Sequence, residues 1–263
     1  MKNMNDMGCT SCSKEPSRAI PTARIFEKLN ELFSKNDLPA VGRLLSYWES
    51  EARALRDERG LLEILNEQIG YYRRTADAEK GLAVVAEAFE LIEKKQVCDT
   101  VSAGPIYLNG APTMKSFGKT AEAMPYYEKA REIYEQTLDA DDYKLAALYN
   151  NVSSAYKDLG KPELAEDSCY RAIEILKGKE DCHGEIAVTL VNIAHLYHEA
   201  DPFDERINEI MDKAWEHLMS DKNQRDGDFA FLCSKCHPSF GFFGYFEREA
   251  ELKALVEKIY AGN

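Results

Sequence analysis

Side chains able to do chemistry cluster at a few spacings in this chain. Cys233-Ser-Lys-Cys236-His237 has the literal spacing of a covalent haem attachment site, and Cys9-Thr-Ser-Cys12 is a second CxxC pair. Two such pairs can supply four thiolates to tetrahedral zinc. They lie 224 residues apart, however, so a shared site needs a folded-back tail or a second chain. Haem attachment needs an exported protein, and Met1–Ser17 contains no apolar signal core. Helical spacing also puts Cys233 with Cys236 or His237 on one stripe with Phe229 and Phe240, so core packing accounts for them. The expectation is no metal and no cofactor. Met7-Gly8-Cys9 is not an acylation signal, because the glycine does not follow the initiator methionine. There is no Gly-rich phosphate loop, no GxSxG and no HExxH. Asp141-Asp142, Glu180-Asp181 and Cys182-His183 sit in inter-helix segments, where they read as caps and loop residues. A non-catalytic protein is expected.

The chain has 46 acidic against 33 basic residues, a formal charge of −13. That balance disfavours a nucleic-acid partner, which needs a basic face. No apolar run reaches the roughly 18 residues of a membrane span. The expectation is a cytoplasmic protein whose seven cysteines are reduced thiols.

The decisive pattern is a repeat. Ala88, Ala130, Ala172 and Ala214 follow one another at intervals of 42, each in a similar segment such as YEKAREIY or YRAIEIL. A turn recurs upstream at Ala76, Gly118, Gly160 and Asp201, preceded four residues earlier by Tyr72, Met114, Tyr156 and Tyr197. The last unit carries one extra residue, at Asp201-Pro202. Each period is a helix pair. Leu148, Val152, Ala155, Tyr156 and Leu159 share one 3.6-residue stripe. Gly160 stops that helix, and Pro162 opens the next, where Leu164, Ala165, Cys169, Ala172, Ile173 and Leu176 face back. One such pair cannot bury both faces, so pairs must stack.

Tyr149, Ser153, Tyr156, Gly160, Ala165 and Ala172 together resemble the tetratricopeptide repeat. The usual period is about 34, so 42 implies helices about a turn longer. The stretch from Arg131 to Leu176 is similar to the longer repeats of kinesin light chains. The resemblance covers residues 61–218. It implies an all-α, right-handed superhelix (an α-solenoid) of about six antiparallel helix pairs. The expected organisation is a disordered tail at 1–17 and a single repeat domain at 18–263. That domain comprises an N-terminal pair at 18–59, four repeats at 60–218 and a C-terminal capping pair at 227–263. Within the cap, helices are expected over Phe229–Cys236 and Tyr245–Tyr260, joined through PSFGFFG.

The resemblance also implies a function. In that family the first helix of each pair lines a concave groove, so the expected role is a protein- or peptide-binding scaffold or adaptor. Asn109, Asn151 and Asn192 hold one first-helix register, and an amide there can both donate to and accept from a peptide backbone. Their other reading is as solvated or packing residues. A second ladder holds Arg73 and Arg74, Lys115, Lys157 and His198, with His195 on the same helix as His198. In a groove these would favour an acidic peptide or a C-terminal carboxylate; at a helix C-terminus, cations are favoured by the dipole in any case. Pro112 falls inside a first helix and should kink it. Two other readings stand beside the scaffold: a peptide-sensing regulator acting through a partner, and a metal- or redox-linked protein using the CxxC pairs. Seven aromatics from Phe229 to Phe246 predict an apolar patch, and with it a homodimer, should they not all pack inward.

Overall fold

The computed structural model describes residues 19–35, 37–94 and 102–261, and every element among them is a helix. The fold is an all-α helical repeat. The N-terminal tail with Cys9 and Cys12 lies outside the described residues. Two compact units are present, Met1–Cys98 and Asp99–Asn263.

The first unit contains α1 (Thr22–Ser34), α2 (Leu38–Leu55), α3 (Glu58–Arg74) and α4 (Ala78–Lys94). Each helix packs on the next in sequence. Local chemistry sets the starts. Asp37 caps α2 by accepting from Ala40 N at 3.1 Å, with Pro39 in the first turn. Asp57 caps α3 by accepting from Gly60 N at 3.0 Å, and its second oxygen accepts from Ile20 N at 2.9 Å. This buried carboxylate therefore ties the segment before α1 to the start of α3. A Cβ on Gly60 would overlap it, which is why glycine stands there.

The second unit contains α5 (Gly104–Ser116), α6 (Thr120–Thr137), α7 (Tyr143–Asp158), α8 (Pro162–Leu176), α9 (His183–Ala200), α10 (Arg206–Met219), α11 (Gly227–Phe242) and α12 (Phe246–Ala261). Each odd helix pairs with the next even one, and the odd helices also meet one another in the order α5, α7, α9, α11. A continuous core links α7 to α12. The alanines that set the period, Ala88, Ala130, Ala172 and Ala214, are all fully buried. Each keeps the crossing between paired helices close, which a larger side chain would prevent.

The turns explain the register. Ala76, Gly118, Gly160 and Gly244 have φ of 55°, 79°, 67° and 85°, the left-handed region that lets a helix double back. In each case the following N–H donates to the carbonyl of the bulky residue four before the turn. The bonds are Asp77 to Tyr72 (3.0 Å), Lys119 to Met114 (2.9 Å), Lys161 to Tyr156 (2.9 Å) and Tyr245 to Phe240 (2.8 Å). Asp201 is the exception: its backbone is extended, and its N–H makes the ordinary helical bond to Tyr197 at 2.8 Å. The extra residue of that repeat replaces the left-handed turn.

The capping pair differs from its expected boundaries. Helix α11 continues through Pro238 to Phe242, so most of PSFGFFG is helical and the connection shrinks to Phe243–Tyr245. Burial of Phe240 and the left-handed turn at Gly244 outweigh the one hydrogen bond that a helical proline loses. Helix α5 likewise continues past Pro112, where the Thr113 hydroxyl donates to Asn109 O at 2.9 Å.

Candidate functional site

The side-by-side helices α5, α7 and α9 carry Asn109, Asn151 and Asn192 at one register, all half-buried. Asn151 and Asn192 make no side-chain hydrogen bond among the described residues, so their amides stay free to bond water or a ligand. The adjacent Asn150 behaves differently. Its Nδ2 donates to Thr189 Oγ1 at 2.9 Å, bracing α7 against α9, while its Oδ1 is buried without a partner. A pair of neighbouring asparagines thus divides into a structural brace and an open amide. Sequence reasoning missed the brace, because its partner lies 39 residues away.

The basic ladder is arranged as rungs between successive helices. Lys115 on α5 pairs with Asp158 on α7 at 2.8 Å, and Lys157 on α7 pairs with Glu199 on α9 at 2.7 Å. Each lysine meets the acid that follows the next ladder position. The third rung changes chemistry: His198 on α9 meets the Phe242 ring on α11 edge-on, with centroids 5.0 Å apart. The two lysines are therefore already matched by carboxylates, and their pull on an acidic ligand is correspondingly reduced. Arg73 and Arg74 belong to α3 in the first unit, where the Arg74 guanidinium lies 5.5 Å from the centre of the Phe33 ring.

His195 is held within the same face. Its Nε2 and Ser239 Oγ share a hydrogen bond of 2.8 Å, and its ring lies 5.3 Å from Phe242 and 4.9 Å from Phe243. Burial, and then the charge of Lys157, push its pKa below the ordinary histidine value, so at neutral pH the ring is uncharged. The two histidines and the end of α11 form an aromatic wall. Beside it opens a cavity of about 350 Å³ lined by His198, Pro202, Phe203, Asp204, Ile207, Asn208, Phe242 and Phe243.

The seven C-terminal aromatics divide. Phe229 and Phe240 are buried, Phe243 and Tyr245 pack partly against the core, and Phe231, Phe242 and Phe246 are 53%, 58% and 70% exposed. Cys233 and Cys236 are buried in the same core. Desolvation raises their thiol pKa values to about 11 and about 12, which disfavours the thiolate needed for metal or redox chemistry. No cluster of three metal-ligating side chains occurs among the described residues. Two further histidines form a pair that the spacing did not reveal: His183 Nδ1 and His217 Nδ1 lie 2.9 Å apart, joining the start of α9 to the end of α10. No helix among the described residues is long and apolar enough to cross a membrane.

Residues 115–178, covering α6, α7 and α8, match the family model of the tetratricopeptide repeat. This stretch carries tetratricopeptide repeat sequence. Solved structures share the fold. BtubC of P. vanneervenii is 19% identical, covers 87% of this chain and 91% of its own, and superposes with a TM-score of 0.55. A kinesin light chain candidate of Podosopora anserina, with nearly identical TPR-like repeats, is 14% identical over 76% of this chain and 95% of its own, with a TM-score of 0.54. A Rap protein complexed with competence and sporulation factor is 13% identical over 90% of this chain and 74% of its own, with a TM-score of 0.57. The likeness to these structures is one of fold. No curated protein sequence matches the chain.

Proposed function

We propose that this protein is a non-catalytic scaffold that holds a peptide segment of another protein against the first-helix face of its second unit. The observation that carries the reading is the pair of open amides at Asn151 and Asn192. They stand at one register of adjacent helices, beside the neighbouring Asn150, whose Nδ2 is already committed to Thr189. Asparagine is a mediocre helix former, so its recurrence in mid-helix favours a role outside helix stability. Asn109 extends the row on α5. An extended peptide lying across these helices would meet amides able to bond both its N–H and its C=O groups, and would be gripped with tolerance for varied side chains.

Lys115 and Lys157 act in this reading as register pins between repeats rather than as a field for acidic ligands, since each has its own carboxylate. His195 and His198 belong to the aromatic end of the same face. Arg73 and Arg74 belong to α3 of the first unit. The Rap protein solved with competence and sporulation factor supports a peptide-sensing variant of the same role, in which a bound peptide alters a partner's access.

The test is affinity capture from the native cell with the wild-type chain and with Asn151→Ala combined with Asn192→Ala. The double variant leaves both ion pairs and the core intact, so its helicity and unfolding midpoint should match the wild type. Loss of the main captured partner is the expected result. Capture at wild-type levels would refute the amide row as the site.

A further inference from the structure

Along the first-helix face the rungs run Lys115–Asp158, Lys157–Glu199 and then His198–Phe242. The first two join opposite charges across neighbouring repeats. At the third, an aromatic ring stands where the pattern calls for a carboxylate, and no acid pairs with His198 among the described residues. The face therefore changes from charged to apolar at α11, and at that point it opens into the 350 Å³ cavity. The walls of this cavity are unusually exposed for aromatics: Phe203 is 89% and Phe242 58% accessible. A phenylalanine in that state loses the burial that ordinarily stabilises it, and its apolar surface remains free for a ligand.

Charge at the rim is one-sided. Asp201 directly precedes Pro202 of the cavity wall, and Glu205 directly follows Asp204 of the same wall. Both are exposed, and neither forms an ion pair among the described residues. The nearby cations are already engaged. Lys157 is matched by Glu199, and Arg206 is paired with Asp204 at 2.6 Å while lying 3.8 Å from the centre of the Tyr197 ring. The uncompensated charge around this cavity is thus negative.

We infer that the cavity between His198, Phe203 and Phe242 is the anchor pocket for a large apolar side chain, aromatic or branched, of a peptide segment bearing cationic residues beside that anchor. This rests on the reading of the first-helix face as a peptide-binding surface. It departs from the acidic ligand that the basic ladder predicted, because the ladder lysines are neutralised whereas the rim acids are not. The volume of about 350 Å³ lies at the lower end of the range for ligand pockets and has room for one bulky side chain. The rim charges would set preference and approach, and the apolar walls would hold the anchor.

The experiment is an NMR titration of the full chain with three N-acetylated, C-amidated pentapeptides: Gly-Lys-Phe-Lys-Gly, Gly-Glu-Phe-Glu-Gly and Gly-Lys-Ala-Lys-Gly. The ring signals of His198 and the methyl signals of Ile207 report the pocket, and the side-chain amides of Asn151 and Asn192 report the groove. Binding of the Lys-Phe-Lys peptide should shift His198 and Ile207 and be roughly tenfold tighter than that of the other two. Phe242→Ala or Phe203→Ala should abolish those shifts, and Asp201→Asn with Glu205→Gln should remove the preference for lysine. Both phenylalanines are exposed, so the alanine variants should keep the fold, and the unchanged amide dispersion would document this. Equal or tighter binding of the Glu-Phe-Glu peptide would overturn the proposal, as would binding that ignores both phenylalanine substitutions. Shifts at Asn151 and Asn192 with His198 and Ile207 unmoved would leave the groove reading standing and overturn the pocket. A dimer by light scattering that Phe242→Ala dissolves would assign the cavity to a second copy of the chain and overturn the peptide assignment.

Discussion

The two inner rungs of the second unit and its terminal rung do the same geometric job with different chemistry. Lys115–Asp158 and Lys157–Glu199 hold successive first helices in register through half-exposed ion pairs. Such pairs are individually weak, on the order of 0.2–1 kcal/mol, but directional, since each has only one correct partner. His198–Phe242 joins α9 to α11 through ring contact, and around it His195, Ser239 and Phe243 form a denser cluster. An ion pair fixes register without apolar surface and leaves the face open to water. An aromatic rung fixes register and also leaves ring surface exposed, creating a place where something apolar can bind. The contrast between adjacent aromatics is sharper still. Phe240 is fully buried against Trp215 and Tyr245, with centroids 5.7 and 6.1 Å away, while Phe242, two residues on, is mostly exposed.

That last difference offers the strongest way to break the comparison. Phe240→Ala should cost about 3–5 kcal/mol in urea unfolding, from lost burial plus the cavity left behind. Phe242→Ala should stay within about 0.5 kcal/mol of the wild type. Equal costs would mean that Phe242 is part of the core and not an open wall. The turns come next. Gly160→Ala should destabilise by about 1–2 kcal/mol, because alanine is strained at φ 67° even where space is free. Ala76→Gly, at φ 55°, should stabilise by about 1 kcal/mol by relieving that strain. Thermal unfolding midpoints should move in opposite directions for the two variants.

A pH-dependent effect follows. Burial is the main cause lowering the pKa values of His195, His217 and His237 below the ordinary 6.5. As pH falls through that ordinary value the unfolded chain takes up protons before the folded one. The stability these histidines contribute is therefore complete above about pH 6.5 and is lost as pH falls through the unfolded value toward the lower folded ones. Unfolding free energy measured between pH 8 and 5 should decline, and His195→Gln should flatten part of that decline. The smallest effect concerns the rungs themselves. A double-mutant cycle on Lys157 and Glu199 should give a coupling of about 0.2–1 kcal/mol that fades in roughly 1 M salt. The His198–Phe242 cycle should be insensitive to salt, and a salt-sensitive coupling there would remove the distinction between the rungs.

Much of the fold was legible because it rests on short-range rules. The spacing of Ala88, Ala130, Ala172 and Ala214 marks four helix-pair contacts, and all four alanines are buried. Gly118 and Gly160 announced turns that only a left-handed residue makes easily, and Pro162 announced a helix start. Pro238 misled, because local propensity reads it as a break while the buried Phe240 and the turn at Gly244 carry α11 past it. The asparagine row was visible as a register. Its division into a braced Asn150 and an open Asn151 was not, since that depends on Thr189 in the next helix. Lys115 and Lys157 were visible as cations, but the carboxylates that neutralise them come from neighbouring repeats.

By itself, then, the sequence determined what one residue can dictate to the next few: helix pairs, their turns, their period and the small residues at their crossings. Periodic burial and backbone handedness are local properties and repeat with the chain. Only the tertiary structure decided which charges remain uncompensated, which asparagine is free and which phenylalanine faces water. Those outcomes depend on partners about 40 residues away, brought within a few ångströms by stacking, and no local spacing encodes them.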